Sequence, residues 1–202
     1  MFWGKNNDFI KELYWRDFYY NVLYYFPHVV GHSFNSKWDN FKWDNYQGKF
    51  KKWKEGKTGF PVIDAAMREL NTTGFMHNRA RMIVASFLTK DLLIDWRWGE
   101  KYFASKLLDY NISANNGGWQ WSAGTGTDAQ PYFRVFNPWG QSKKYDPNCE
   151  YIKKWIPELK DIPAKDIHDW YKKFNNYNVK YPKPMLDHDK ARLIFLERAQ
   201  SL

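Results

Sequence analysis

The chain has 202 residues, enough to bury a sizeable core as one domain. Its 31 basic and 22 acidic residues give a net charge of +9, which suits a polyanionic partner and is equally typical of a protein whose charge only aids solubility. One cysteine excludes an internal disulfide. The sequence has neither a long apolar run nor a signal-peptide pattern, so we expect a soluble intracellular protein with no membrane span. Cytoplasm, nucleus and viral factory stay open as its location.

The first predicted helix runs from Asn7 to Phe26, with Asn6 or Asn7 as its N-cap and Pro27 as its end. Apolar residues along it supply a buried side. Four other residues, spaced i, i+3, i+4 and i+7, share a second face: Glu12, Trp15, Arg16 and Tyr19. Taken alone, this face is typical of a surface ion pair beside a packed tryptophan.

The next stretch is irregular and aromatic. Between Phe26 and Gly56 the periodicity weakens, and periodicity alone assigns three tryptophans there to packing: Trp38, Trp43 and Trp53. The following Gly-Lys-Thr-Gly string is not a phosphate-binding loop, because the upstream glycine and the preceding strand of that motif are absent.

Two helices are predicted after this stretch. The first begins at Pro61, a residue favoured in the first helical turn, and its apolar stripe comprises Val62, Ile63, Ala66, Met67 and Leu70. Asn71 to Gly74 forms the turn, and the second helix runs from Phe75 to Asp95.

Polar residues near the start of this second helix are candidates for function. We expect Asn78, Arg79 and Met82 on one face and His77 and Arg81 toward another. Any one of them alone is more typical of an interhelical contact.

The stretch from Asn115 to Asp128 reads NNGGWQWSAGTGTD. Gly117 and Gly118 permit backbone angles that other residues avoid, which predicts a sharp turn. Trp119 and Trp121 bring flat surfaces to the same place, and the small residues from 122 to 127 leave room for a ligand.

Three strings carry a family resemblance: ELYWRDFY from residue 12, MHNRARM from residue 76 and the NNGGWQWSAGTGTD stretch. Together they closely resemble the flavin-binding core of the DNA photolyase/cryptochrome family, most of all class I photolyases that repair cyclobutane pyrimidine dimers. The resemblance implies an all-α fold, the C-terminal portion of the family's helical FAD-binding domain. It predicts one such domain over residues 1–202, without the α/β antenna domain, and a scaffold role for residues 150–202.

The resemblance implies FAD as cofactor and no metal; no antenna chromophore is expected on this chain. The cofactor-binding residues that it implies are Phe9, Glu12, Arg16, Asn78, Arg81, Asp109, Tyr110, Asn111 and Asn115. Arg81 is expected to pair with a flavin-side aspartate, and Asn115 to face the flavin N5. Asn111 departs from the family's Asp-x-Asp pair. Its amide can still accept a hydrogen bond but brings no charge, so we expect an altered flavin redox potential.

UV-damaged DNA is the implied substrate. The residues expected to face the lesion or the DNA are Glu12, Trp15, Asn78, Arg79, Met82, Trp121, Arg134 and Gln141. Met82 favours the cyclobutane-dimer type, since a histidine takes this place in relatives that repair (6-4) photoproducts. Lys143 and Lys144 fit phosphate contacts or a solvated pair equally well.

A tryptophan relay that re-reduces the flavin is also implied, with Trp43 outermost, Trp96 in the middle and Trp119 nearest the flavin; Asn115 joins them as a catalytic residue. Family members also carry an N-terminal α/β domain and a Thr/Ser-rich segment that grips the flavin phosphates. We therefore expect a photolyase that works with a separate N-terminal polypeptide. A cryptochrome-like light sensor and a flavin-free DNA-binding remnant are the alternatives.

Overall fold

The computed structural model describes residues 8–202, which form helices and connecting segments and contain no β-strand. The all-α prediction is thereby confirmed. The α-helices are α1 (Asp8–Tyr25), α2 (Gln47–Lys54), α3 (Pro61–Thr73), α4 (Asn78–Ser86), α5 (Trp96–Ala104), α6 (Ile112–Ala123), α7 (Pro138–Tyr145), α8 (Glu150–Trp155), α9 (Ala164–His168), α10 (Trp170–Lys173) and α11 (His188–Gln200). Short 3₁₀ helices occupy Pro27–Val30, Ser36–Asn40, Pro157–Leu159 and Phe174–Asn176, and a π-helical turn, Phe87–Asp91, continues α4.

The first and third helices end where local chemistry predicts. Helix α1 stops at Tyr25, and Pro27 then opens a 3₁₀ turn because its fixed φ and missing N–H cannot continue an α-helix. The proposed N-caps Asn6 and Asn7 lie outside the described residues. Helix α3 begins at Pro61 and ends at Gly74, whose φ of 69° is a left-handed cap.

The boundaries expected for the next helix were wrong at both ends. Helix α4 begins at Asn78 rather than Phe75, because the His77 side chain caps it by accepting from the Arg79 N–H at 3.1 Å. Its π-helical continuation ends at Asp91 rather than Asp95, and Leu93 follows in the left-handed region with φ 54°.

The expected turn at the paired glycines was also wrong. Both lie within α6, and the chain turns instead at Gly124, where φ is 87°. Gly117 serves close packing: a Cβ there would lie 2.1 Å from the Tyr19 ring of α1. At Gly118 a Cβ would meet nothing within 4 Å. Of the small residues from 122 to 127 that were expected to leave room for a ligand, Ser122 lines the cavity described below, whereas Ala123 and Thr125 are buried and do not line it.

The core is built largely from aromatic rings and the α3–α4 stripes. Trp53, Trp96 and Trp170 are fully buried, and every residue of the predicted stripe of α3 is buried as well. A second cluster beneath α11 joins Trp38, Phe41, Leu93, Phe195 and Ala199. In the part of the chain that the structure describes, no helix combines the length and apolarity required to cross a membrane.

Candidate flavin and lesion site

One cavity of about 390 Å³ opens between α1, α4 and α6 and is closed at one end by α5 and the segment that follows it. This volume falls in the usual range for small-molecule sites. It is lined by Glu12, Trp15, Arg16, Tyr19, Asn78, Arg81, Met82, Ala85, Phe103, Leu107, Asp109, Tyr110, Asn111, Ala114, Asn115, Gly118, Trp119, Trp121 and Ser122. The structure thus brings together most of the residues that the sequence singled out.

Helix α1 contributes the face predicted from its i, i+3, i+4, i+7 spacing. The rings of Trp15 and Tyr19 stack with centroids 6.1 Å apart, and Tyr19 in turn lies on Gly117. Burial, followed by the negative charges of Asp128 and Glu12, raises the pKa of Tyr19 to about 12. Its hydroxyl therefore stays protonated at neutral pH and presents a hydrogen-bonding group rather than a charge.

Helix α4 contributes Asn78, Arg81, Met82 and Ala85 at i, i+3, i+4 and i+7. The expected grouping on this helix was wrong in two respects: Arg79, expected beside Asn78, does not line the cavity, and Arg81, expected toward another face, does. The Arg79 guanidinium lies 4.5 Å from the ring centroid of Tyr145 on α7.

The expected arginine–aspartate pair is present. Arg81 Nη2 donates to both carboxylate oxygens of Asp109, at 2.7 and 3.0 Å, and Arg81 Nε donates to the Met76 carbonyl at 2.7 Å. The carboxylate is half-exposed, with 51% of its side-chain surface accessible, so solvent screens the pair and its effect on folding stability is small. Its main consequence is to fix a guanidinium at the cavity wall.

Asn111 is engaged on both sides of its amide. Its Oδ1 accepts from the Ala114 N–H at 3.1 Å and so caps α6, while its Nδ2 donates to the Tyr20 hydroxyl at 2.6 Å. An aspartate could keep the cap and accept from the same tyrosine. Asparagine and aspartate can therefore make the same cap here, and they differ in the charge that they bring to the cavity wall.

Asn115 is oriented by a residue that the sequence analysis missed. Its Nδ2 donates to the Glu100 backbone carbonyl at 3.1 Å and to Glu100 Oε1 at 3.2 Å. Burial raises the pKa of Glu100, and the hydrogen bond from Asn115 opposes that rise. With the N–H group held by Glu100, the amide Oδ1 is the group left for a ligand.

The inner end of the cavity is aromatic. Trp119 is buried, and the Phe103 ring packs edge-on against it with centroids 5.0 Å apart. A Cβ at Gly99 would lie 2.1 Å from Trp119 Cη2, so this glycine lets α5 approach the tryptophan closely. Trp96, three residues before Gly99 on α5, is also buried.

The remaining predicted site residues lie outside the lining. Trp43 is half-buried, with its ring centroid 4.4 Å from that of Phe41. Arg134 is exposed, and Gln141 is half-buried with no hydrogen-bond partner for its Oε1. Phe9 is 66% exposed on α1. The roles of these residues stay predictions.

Several lining residues were not assigned from sequence: Ala85, Phe103, Leu107, Ala114, Gly118 and Ser122. Helical spacing could have found three of them. Ala85 lies seven residues after Asn78, and Gly118 and Ser122 lie three and seven residues after Asn115. Of these three, only Ser122 belonged to a stretch that was expected to leave room for a ligand.

Comparison with known proteins identifies the relatives of the chain. Residues 9–201 match the family described as the FAD binding domain of DNA photolyase. The deoxyribodipyrimidine photo-lyase of Escherichia coli is 50% identical over 193 residues, which are 94% of this chain and 41% of that protein.

Two solved structures are similar as well. An archaeal photolyase from Sulfolobus tokodaii, solved with two FAD molecules, has a TM-score of 0.92 and 48% identity over 98% of this chain and 45% of its own. The Synechocystis sp. PCC6803 cryptochrome has a TM-score of 0.86 and 40% identity over 95% and 42%, respectively. The chain therefore spans less than half the length of each of these relatives, between 41% and 45%.

Proposed function

Because this chain belongs to the family of FAD binding domains of DNA photolyase, we propose that it supplies the flavin- and lesion-facing part of a light-driven photolyase that repairs cyclobutane pyrimidine dimers. The observation that carries this proposal is the single cavity in which the predicted flavin residues and the predicted lesion residues meet. Class I membership belongs to the same proposal and is supported by Met82 in the cavity wall.

The chemistry of the cavity fits a flavin ring. The cavity wall presents two amides, from Asn111 and Asn115, and the guanidinium–carboxylate pair of Arg81 and Asp109. These donors and acceptors suit the alternating N–H and C=O groups of a flavin edge. Aromatic side chains supply the walls that a flat ring requires. When bound, FAD would supply the light-driven one-electron chemistry that side chains lack.

The cavity fits the flavin diphosphate less well. Among the described residues that line it, the two cations are Arg16 and Arg81, and each already contacts a carboxylate. Arg16 bonds to Asp17 at 3.2 Å, and Arg81 to Asp109. A diphosphate therefore requires groups from elsewhere, which supports a second polypeptide segment in the active protein.

Helix α1 supports the same partner. Tyr14, Tyr24 and Tyr25 are 71%, 79% and 67% exposed along it. Aromatic surface of this extent is typical of an interface. We infer that the partner corresponds to the N-terminal part of the longer relatives, of which this chain spans 41% in the Escherichia coli protein.

On the lesion side, this chain's own residues hold the extruded bases. Trp15, 41% exposed, and Trp121 offer stacking surfaces, each worth about 1–3 kcal/mol per base. This offsets the few kcal/mol needed to extrude damaged bases. Glu12 and Asn78 fix the polar edges of the bases and stabilise charge that arrives there, and Met82 supplies an apolar contact.

Trp119, Trp96 and Trp43 form the proposed relay from the cavity to the surface. The gradient of burial supports this order, since Trp119 and Trp96 are buried and Trp43 is half-exposed. Gly99 lets α5, the helix that carries Trp96, approach Trp119 closely, which supports the proposed step between these two tryptophans.

A light-sensing role is the second candidate, favoured by the similarity to the Synechocystis cryptochrome. A sensor does not require lesion contacts, whereas Glu12, Trp15 and Met82 all line the cavity here. Lesion-dependent binding therefore separates the two functions.

The test is light-dependent repair. The chain is produced together with the N-terminal part of a photolyase relative, and cyclobutane dimers in irradiated DNA are counted before and after illumination. We expect loss of dimers in the light but not in the dark, and about 10²-fold or greater slowing in Asn78→Ala, which removes a contact to both ligands. A flavin-loaded complex that repairs no dimers would overturn the proposal and favour the sensor.

A further inference from the structure

Lys90 is fully buried, an unusual position for a lysine side chain. It lies in the π-helical turn that continues α4, away from the residues that line the cavity. A buried ammonium group costs several kcal/mol unless hydrogen bonds compensate for its lost hydration. The contacts of Lys90 therefore indicate what its placement achieves.

The ammonium group binds one segment of backbone. Lys90 Nζ donates to the Arg134 carbonyl at 2.9 Å and to the Tyr132 carbonyl at 3.4 Å, and it lies 5.6 Å from the ring centroid of Phe195. The adjacent Asp91 pairs instead with His188 of α11. Burial lowers the pKa of Lys90 to about 7, and the nearby charge of Arg134 contributes to the decrease while Asp91 opposes it.

The bound carbonyls belong to residues 131–136, here called the 131–136 segment, which joins α6 to α7 without helix or strand. Its only internal closures among the described backbone contacts are Arg134 N–H to the Pro131 carbonyl and Val135 N–H to the Phe133 carbonyl. Such a short turn does not by itself fix where an exposed side chain points.

This segment adjoins the cavity at both of its ends. Just before it, Gln130 Nε2 donates to the carbonyl of Ser122, a lining residue, at 2.8 Å. At its far end the Phe136 N–H donates to Ser86 Oγ at 3.4 Å, next to the lining residue Ala85. The exposed Arg134 thus lies on a segment whose two ends are tied next to the cavity wall.

We propose that Lys90 is a positioning residue that holds the 131–136 segment in place and thereby aims Arg134 at the DNA backbone. Lys90 cannot touch DNA itself, since none of its surface is accessible. Its donors replace the backbone pairing that a helix or strand would provide. That Lys90 holds the segment follows from its hydrogen bonds. That this holding affects DNA binding rests on the proposed function.

The test compares Lys90→Met, Arg134→Ala and the double variant. Methionine keeps the length and apolar stem of lysine but has no N–H donor. Lys160→Met, at an exposed position, is the matched control for the lost charge. Hydrogen exchange of the backbone amides of residues 132–136, and affinity for duplex DNA with and without a thymine dimer, are measured for each variant in complex with the N-terminal part of a photolyase relative. Thermal melting reports folding.

We expect the amides of residues 132–136 to exchange at least about tenfold faster in Lys90→Met and to be unchanged in Lys160→Met. DNA affinity should fall about five- to tenfold in Lys90→Met and in Arg134→Ala, with no further loss in the double variant, since both remove the same contact. Lys90→Gln, which keeps an N–H donor, should restore part of the slow exchange.

Unchanged exchange in Lys90→Met overturns the inference, as do additive losses of affinity in the double variant. If the wild-type complex does not bind DNA, the proposed function fails, and the DNA consequence of Lys90 fails with it, whereas the effect of Lys90 on exchange is still tested. Faster exchange without any loss of DNA affinity likewise contradicts the inference while leaving the proposed function intact. If Lys90→Met fails to fold, Lys90→Gln is compared with the wild type instead: its shorter, uncharged side chain should hold the segment less firmly, so its amides should exchange faster than in the wild type, and equal exchange overturns the inference.

Discussion

The neighbouring glycines of α6 should respond oppositely to the same substitution. In Gly117→Ala the new Cβ would lie 2.1 Å from Tyr19 Cδ1 and 2.8 Å from its Cγ, against the 3.4–4 Å of ordinary contact. The clash involves the base of the ring, so α1 or the tyrosine must move. In Gly118→Ala the Cβ meets nothing within 4 Å.

The magnitudes follow from two opposing terms. Replacing glycine by alanine within a helix stabilises it by about 1 kcal/mol at either position. Overpacking at Gly117 costs about 1–3 kcal/mol or more. We therefore expect Gly118→Ala to raise the free energy of unfolding by about 1 kcal/mol, and Gly117→Ala to lower it by up to about 2 kcal/mol.

The assay is urea denaturation of both variants and of the wild-type chain, followed by circular dichroism. Gly118→Ala also places a methyl group at the cavity wall, so it should weaken flavin retention while the fold becomes more stable. Equal effects of the two substitutions on stability would refute the packing of α1 on α6 described above.

Three further predictions concern charged and polar groups. Arg81→Met should lower the free energy of unfolding by about 1–2 kcal/mol, because its pair with Asp109 is half-exposed and contributes little, whereas the bond to the Met76 carbonyl is lost. Flavin retention measured by absorption should fall sharply, and a stability loss of about 4 kcal/mol or more, beyond about 1–3 kcal/mol for one unsatisfied group, would contradict this. Asn111→Asp should change the free energy of unfolding by no more than about 0.5 kcal/mol, since aspartate also caps α6 and can accept a hydrogen bond from Tyr20. The added negative charge should lower the reduction potential of the flavin. An unchanged potential in spectroelectrochemistry would place Asn111 away from the ring. The pKa of Lys90 is 10.5 when free and about 7 in the fold. Between these pH values the unfolded chain binds more protons than the folded chain. The free energy of unfolding should therefore rise with pH, by up to about 1.4 kcal/mol per pH unit. Urea denaturation at pH 7 and 9 should show a smaller rise in Lys90→Met, and equal rises would be inconsistent with its burial.

Helical spacing and short strings were sufficient to predict much of the site. The i, i+3, i+4, i+7 spacing on α1 correctly grouped Glu12 with Trp15, Arg16 and Tyr19. The resemblance supplied the expectation that Arg81 pairs with an aspartate, and Asp109 is that partner.

Other features depend on tertiary contacts that leave no local pattern. Gly117 looked like a turn residue because glycine favours turns, but its function is to admit a ring from α1. Arg79 contacts Tyr145 on α7 rather than the cavity, since one residue along an α-helix turns the side chain by about 100° away from Asn78. Lys90 gave no sign of burial, since a lone lysine in sequence is normally exposed.

The central claim is that this cavity holds the flavin ring. The most direct measurement is the flavin-to-protein ratio, from visible absorption, of the chain purified with its N-terminal partner, compared with Gly118→Leu and Gly31→Leu. A Cβ at either glycine meets nothing within 4 Å, but only Gly118 lines the cavity. We predict about one flavin per chain in the wild type and in Gly31→Leu, and little or none in Gly118→Leu. Full flavin content in a folded Gly118→Leu complex would contradict the claim.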